Sequence, residues 1–195
     1  MTKKIAKIIR IITIPPVMVL LLLLILFTLN GNMFQNHILN LLLSICFLAL
    51  IPVAAYPLQP LIPKYKDKGR EGQRNVAFIF TAAGYAGAII YGVLASVSKE
   101  LLLMYFAYLL SVLALLFSNK VIKFRSSGHM CSITGPLILS IYFIGWISVI
   151  PCLVIFGMIC WSSLTLKRHT LYEVMGGCVC CIVAFSCSVG IVSLL

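Results

Sequence analysis

Ile11–Leu29 reads IITIPPVMVLLLLLILFTL, with no charged residue in it. At 1.5 Å rise per residue, a helix of this length covers the roughly 30 Å hydrocarbon core of a bilayer. The run follows a basic stretch, Lys3, Lys4, Lys7 and Arg10. Six further apolar runs follow it: Ile38–Tyr56, Val76–Val97, Leu101–Phe117, Cys131–Ile150, Cys152–Leu166 and Leu171–Leu195. The sixth run of the seven is short. Over the whole chain 62% of residues are hydrophobic and 10% are charged, and mean hydropathy is +1.13. Globular domains carry about 25% charged residues, so the chain reads as an integral membrane protein.

In lipid every backbone N–H and C=O must be satisfied within the protein, which leaves helices or a closed barrel. Long unbroken apolar runs exclude the two-residue alternation of a barrel. The expected fold is therefore all-α: a polytopic transmembrane bundle of about 6–7 spans. Residues 1–195 form one membrane domain, with two N-terminal spans in 1–56 and the remainder in 57–195. Pro15-Pro16 and Pro136 are expected to kink their helices. The small residues Ala82, Ala83, Gly84, Ala86, Gly87 and Ala88 should allow close helix contact. The first run is too long for a signal-peptide core, and Asn30-Gly31-Asn32 is no small-residue cleavage site. The eight cysteines lie in or at the apolar runs and read as small buried hydrophobes rather than disulfides or a metal motif.

Basic residues divide unevenly between the connections. Fourteen of the fifteen Lys and Arg lie in the N-terminus, 57–75, 118–130 and 167–170, and only Lys99 lies in the other set. The positive-inside rule places the basic set in the cytoplasm, in a plasma (inner) membrane. The net charge of +11 thus forms a belt facing anionic headgroups. Membrane lipids are the expected partners, and nucleic acid is not.

Three polar islands share that basic face: 64–75, 123–129 and 167–173. Two of them carry histidines, Ser126-Ser127-Gly128-His129 and Arg168-His169-Thr170-Leu171-Tyr172-Glu173. Ionisable residues at membrane depth mark function. A pair of histidines can attack a phosphate and protonate its leaving group. Glu173 lies four residues after His169, so on a helix the two share a face. A carboxylate there fixes the imidazole tautomer and leaves the other nitrogen basic. Exposed N–H groups where Ser127 and Gly128 open a helix attract phosphate oxygens. Arg74, Arg70 and Lys68 can neutralise the remaining charge, with Arg74 pointing into the same cavity. No carboxylate cluster is present to hold a metal, so neither metal nor cofactor is expected.

In their order, these islands resemble the motifs of the type 2 phosphatidic acid phosphatase superfamily, over roughly residues 57–190. The family carries Lys, six residues, Arg-Pro; then Pro-Ser-Gly-His; then Ser-Arg, five residues, His, three residues, Asp. Ser127-Gly128-His129 and His169 with Glu173 match most clearly, followed by Val174-Met175-Gly176-Gly177. Asp67 falls at the family lysine and Asn75 at the first-motif proline. Ser126 falls at the second-motif proline, Ser163 at the third-motif arginine, and Glu173 at the aspartate. The resemblance implies a metal-independent phosphatase acting on a lipid phosphate or diphosphate. His169 would be the nucleophile and His129 the proton donor. The alternative is a non-catalytic lipid-binding, transport or scaffold protein on the same frame, which the residues at Asp67 and Ser163 favour.

Overall fold

The computed structural model describes residues 2–195, apart from the side chain of Arg70, a candidate phosphate ligand that lies outside the described residues. Among these residues there is no strand. Nine α-helices follow one another: α1 Thr2–Ile12, α2 Pro15–Leu29, α3 Ile38–Ile45, α4 Ile51–Leu58, α5 Gly69–Leu94, α6 Lys99–Leu116, α7 Gly128–Ile144, α8 Val149–Thr165 and α9 Leu171–Ser193. A π turn over Cys46–Leu50 joins α3 to α4, so Ile38–Leu61 forms one span. Glu71–Leu94, Lys99–Val121, Trp146–Thr165 and Leu171–Ser193 are also long and apolar enough to cross a bilayer. A bent pair, α1 with α2, is the sixth candidate. The molecule is an all-α bundle of the kind an integral membrane protein requires.

Several boundaries differ from those the sequence suggests. Ile11–Leu29 is not one span: α1 ends at Ile12, and α2 starts at Pro15 with an axis 54° away. Prolines 15 and 16 occupy the first turn of α2, where a missing N–H costs nothing. The break between α7 and α8 falls at Gly145, with φ 85°, ψ −159°, not at Pro151. That conformation requires glycine, whereas Pro151 is accepted in the first turn of α8. The short helix is therefore α7 and not α8, which with its preceding turn reaches the full Trp146–Thr165 span. Pro136 lies inside α7, which continues through it. The first basic island does not form a loop throughout, because α5 begins at Gly69 and carries residues 70–75 in its first two turns.

Helix α6 is the centre of the bundle. Of its apolar window 56% is buried, against 28–33% for the other spans. It packs between α5 and α9, and α9 also packs against α7. Tyr105 of α6 is fully buried, and its hydroxyl hydrogen-bonds to Ser44 of α3 at 2.7 Å. Gly84 and Gly87 let α5 approach the α3–α4 span closely, since a Cβ at Gly84 would lie 2.6 Å from the Phe47 carbonyl. The two N-terminal spans are not an appendage to 57–195: α1 packs along α8, α2 along α7, and α4 along α5.

Candidate functional site

Helix α9 starts with a capping box. The Thr170 hydroxyl accepts the Glu173 N–H at 3.3 Å, and the Glu173 carboxylate accepts the Thr170 N–H at 3.0 Å. This pattern satisfies two otherwise orphaned donors. The same Oε2 of Glu173 lies 3.1 Å from Nδ1 of His169. An ionised carboxylate only accepts, so Nδ1 carries the proton, and in the neutral ring Nε2 keeps its lone pair. His169 and Glu173 do not meet on a helix face, because His169 precedes the helix. They meet because the cap turns Glu173 backward, toward the residue before Thr170. Arg125 closes the arrangement, with its Nε 3.5 Å from Glu173 Oε1. Arg125 is largely exposed, so this last pair contributes little on its own.

The second island is hung on the same helix start. Ser127 donates its N–H to the Glu173 carbonyl at 2.8 Å. Its side chain caps α7 by accepting the Met130 N–H. Ser126 is pinned to Ser118 by a 2.7 Å hydroxyl contact. Two glycines permit this seating. A Cβ at Gly177 would lie 2.3 Å from the Ser127 carbonyl, and one at Gly176 would lie 2.4 Å from the Phe124 ring. Ser127 is fully buried and its N–H is already taken, so of the two candidate backbone ligands only Gly128 opens the helix with an uncommitted N–H. The Nε2 of His129 is buried and has no hydrogen-bond partner among the described residues.

An open cleft of about 320 Å³ lies over this region, lined by Arg125, Leu164, Lys167, Arg168, His169, Thr170 and Glu173. His169 thus lines the cleft, and His129 does not. Lys68 and Arg74 do not line it. Arg74 is exposed on α5, and the Lys68 ammonium rests 5.9 Å from the Tyr65 ring centre. α5 packs against α4 and α6, and its Phe78 packs against Leu115, Cys131 and Cys181. Desolvation lowers the pKa of His169, against an opposing pull from Glu173; Arg10 and Arg125 lower it further.

Arg10 was not among the candidate residues, yet its charge reaches His129, His169 and Arg168. It is carried there by α1. The Ser162 hydroxyl of α8 donates to the Ala6 carbonyl at 2.7 Å, and Ala6 is fully buried. Arg10 follows one turn later on the same face. No local sequence pattern marks it, because the contact depends on α1 folding back along α8. No protein-family model, curated protein or solved structure matches the chain.

Proposed function

We propose that this chain is a membrane-embedded phosphatase of lipid phosphates or diphosphates, working through a phosphohistidine and resembling the type 2 phosphatidic acid phosphatases. One observation carries the reading: Glu173 holds the Nδ1 proton of His169 while the ring lines a cationic cleft. That leaves Nε2 as the nucleophile. The Nε2 lone pair attacks phosphorus, and the bond from phosphorus to the lipid oxygen breaks. The departing oxygen takes a proton from His129. Water then gives a proton back to His129 and attacks phosphorus, the P–N bond breaks, and inorganic phosphate leaves. Arg125, Lys167 and Arg168 supply positive charge around the cleft, which is most of what phosphoryl transfer asks of a protein.

This chemistry requires the cleft to deepen toward His129 when a headgroup enters. The headgroup would approach from the cytoplasmic leaflet, with acyl or prenyl tails remaining in lipid. The test is phosphate release by the purified protein from phosphatidic acid, phosphatidylglycerol phosphate and prenyl diphosphates, with and without EDTA. The wild type should release phosphate in EDTA, and His169→Ala should abolish release. His129→Ala should slow it by roughly 10²–10⁴. A His169→Ala variant as active as the wild type rules the mechanism out. A wild type inactive on the whole panel favours non-catalytic lipid binding.

A further inference from the structure

Three buried polar atoms in this part of the molecule have no partner among the described residues: Arg10 Nη1, His129 Nε2 and Ser163 Oγ. They come from three helices, α1, α7 and α8. The helices converge around one apolar cluster, in which Ile9 packs with Met130, Ile159 and Val174. Each orphaned atom is tied to that cluster through the chain. Arg10 follows Ile9, His129 precedes Met130, and Ser163 lies one turn beyond Ile159.

The Arg10 guanidinium is half-buried, with its Nη1 sealed off and unpaired. An orphaned charged donor is costly, and the chain has no carboxylate left to meet it. It contains four acidic residues, Asp67, Glu71, Glu100 and Glu173. Asp67 and Glu71 flank the start of α5, and Glu100 lies in the first turn of α6. Glu173 is already engaged by His169, Thr170 and Arg125. The charge that acts on Arg10 is of like sign, that of Arg168. Arg10 is half-buried, whereas Lys3, Lys4 and Lys7 of the same helix are all exposed.

We infer that Arg10 is an anion-binding residue of the histidine site, receiving a phosphate monoester between α1, α7 and α8. This rests on the phosphate chemistry proposed above, and it names a ligand from outside the 57–195 region. The guanidinium fork meets two phosphate oxygens at once. The Ser163 hydroxyl donates to the same group. Lipid phosphate and free phosphate share this headgroup chemistry.

The test uses the full chain in phosphatidylcholine nanodiscs. Two probes are titrated, inorganic phosphate and dioleoylphosphatidic acid, and protection from thermal unfolding is read beside phosphate release. For the wild type both probes should protect. Arg10→Gln should raise the half-protecting concentration at least about tenfold, as expected for loss of a charged hydrogen bond. Arg10→Lys, which keeps the charge and loses the fork, should raise it by a smaller factor. Lys4→Gln should leave it unchanged.

Protection by both probes with Arg10→Gln unmoved overturns the inference, and continued phosphate release would leave the phosphatase standing. If Arg10→Gln does not fold, unchanged binding by Arg10→Lys overturns it. Equal weakening by Lys4→Gln overturns it as well, since the effect would then be diffuse charge. Protection that depends on Arg10 in a protein without turnover sustains the inference and overturns the phosphatase. Protection by inorganic phosphate alone sustains Arg10 and assigns the ligand as free phosphate. A wild type protected by neither probe overturns the inference.

Discussion

Ser127 hydrogen-bonds through its backbone N–H to the carbonyl of Glu173, at 2.8 Å. The loop that carries His129 is therefore fixed to the helix turn that orients His169. One capping box, at Thr170, supports both histidines. The geometry of the site depends on two close backbone approaches and on one carboxylate serving as cap and as partner.

The closest approach is at Gly177. Its missing Cβ would overlap the Ser127 carbonyl, a backbone atom that cannot swing aside. Gly177→Ala should cost about 1–3 kcal/mol, as overpacking does, and should displace His129. Gly190→Ala, where a Cβ meets nothing within 4 Å, should be neutral or slightly stabilising. Thermal unfolding in detergent distinguishes them, and equal melting temperatures would show that the α7–α9 seam tolerates a shift.

Thr170→Ala and Glu173→Gln should separate the cap from the chemistry. Loss of the Thr170 cap should cost about 0.5–2 kcal/mol of stability. Gln at the third helical position can still complete a capping box, so Glu173→Gln should change stability little. It removes the charge that holds the His169 proton, and kcat should fall more than about tenfold, or 1.4 kcal/mol of barrier. Should Glu173→Gln lose stability with kcat unchanged, Glu173 is a cap alone.

The sequence exposes the spans because hydropathy is local: each run of apolar residues declares itself within about 20 positions. It also brings His169 and Glu173 together, though for a different reason than the one that operates. The pairing arises from a Thr-x-x-Glu cap rather than from a shared helix face. That motif is legible in Thr170-Leu171-Tyr172-Glu173 and marks the helix start. Arg10 is legible only as one more base in the N-terminal stretch. Its place near His129 depends on α1 folding back along α8, a contact between Ala6 and Ser162 that no local pattern encodes. Conversely, Arg74 falls at a motif position and Lys68 beside one, but neither lines the cleft, and spacing alone does not say which way a helix faces.

Two histidines shape the pH profile. Burial, with Arg10 and His169 nearby, pulls the proton donor His129 down to about 4, so turnover near neutral pH requires the bound phosphate to restore its proton. The acid limb follows from His169. Its pKa is lowered, chiefly by desolvation, relative to the usual value near 6.5. A nucleophilic imidazole must be neutral, so activity is present above the folded pKa and is lost as pH falls through it. The acid limb should therefore lie below about 6.5. Glu173 pulls the other way, so Glu173→Gln should move the limb lower still. A limb at or above neutrality in the wild type would mean that a different group is titrating.

The 54° bend between α1 and α2 makes a topological prediction. α1 is amphipathic: Lys3, Lys4 and Lys7 are exposed, and so are Ile5, Ile8, Ile11 and Ile12. An apolar strip beside a basic one suits the membrane surface. The contact of Ala6 with Ser162, near the end of α8, puts α1 at the face where His169 lies. α2, 15 residues long, is then expected to cross with the Gly31–Phe34 turn that follows it and to deliver Asn32 to the opposite face. Cysteines placed at Lys4 and at Gly69 should react with a membrane-impermeant maleimide from one side, and a cysteine at Asn32 from the other. Cys187 is the one exposed native cysteine among the described residues. It lies within the α9 span, so Cys187→Ser removes the main background without touching the site. Labelling of the Lys4 and Asn32 positions from the same side would mean that α2 does not cross. Labelling of the Lys4 position from the side opposite to Gly69 would mean that α1 does not lie at the histidine face, and the anion seat would fall with it.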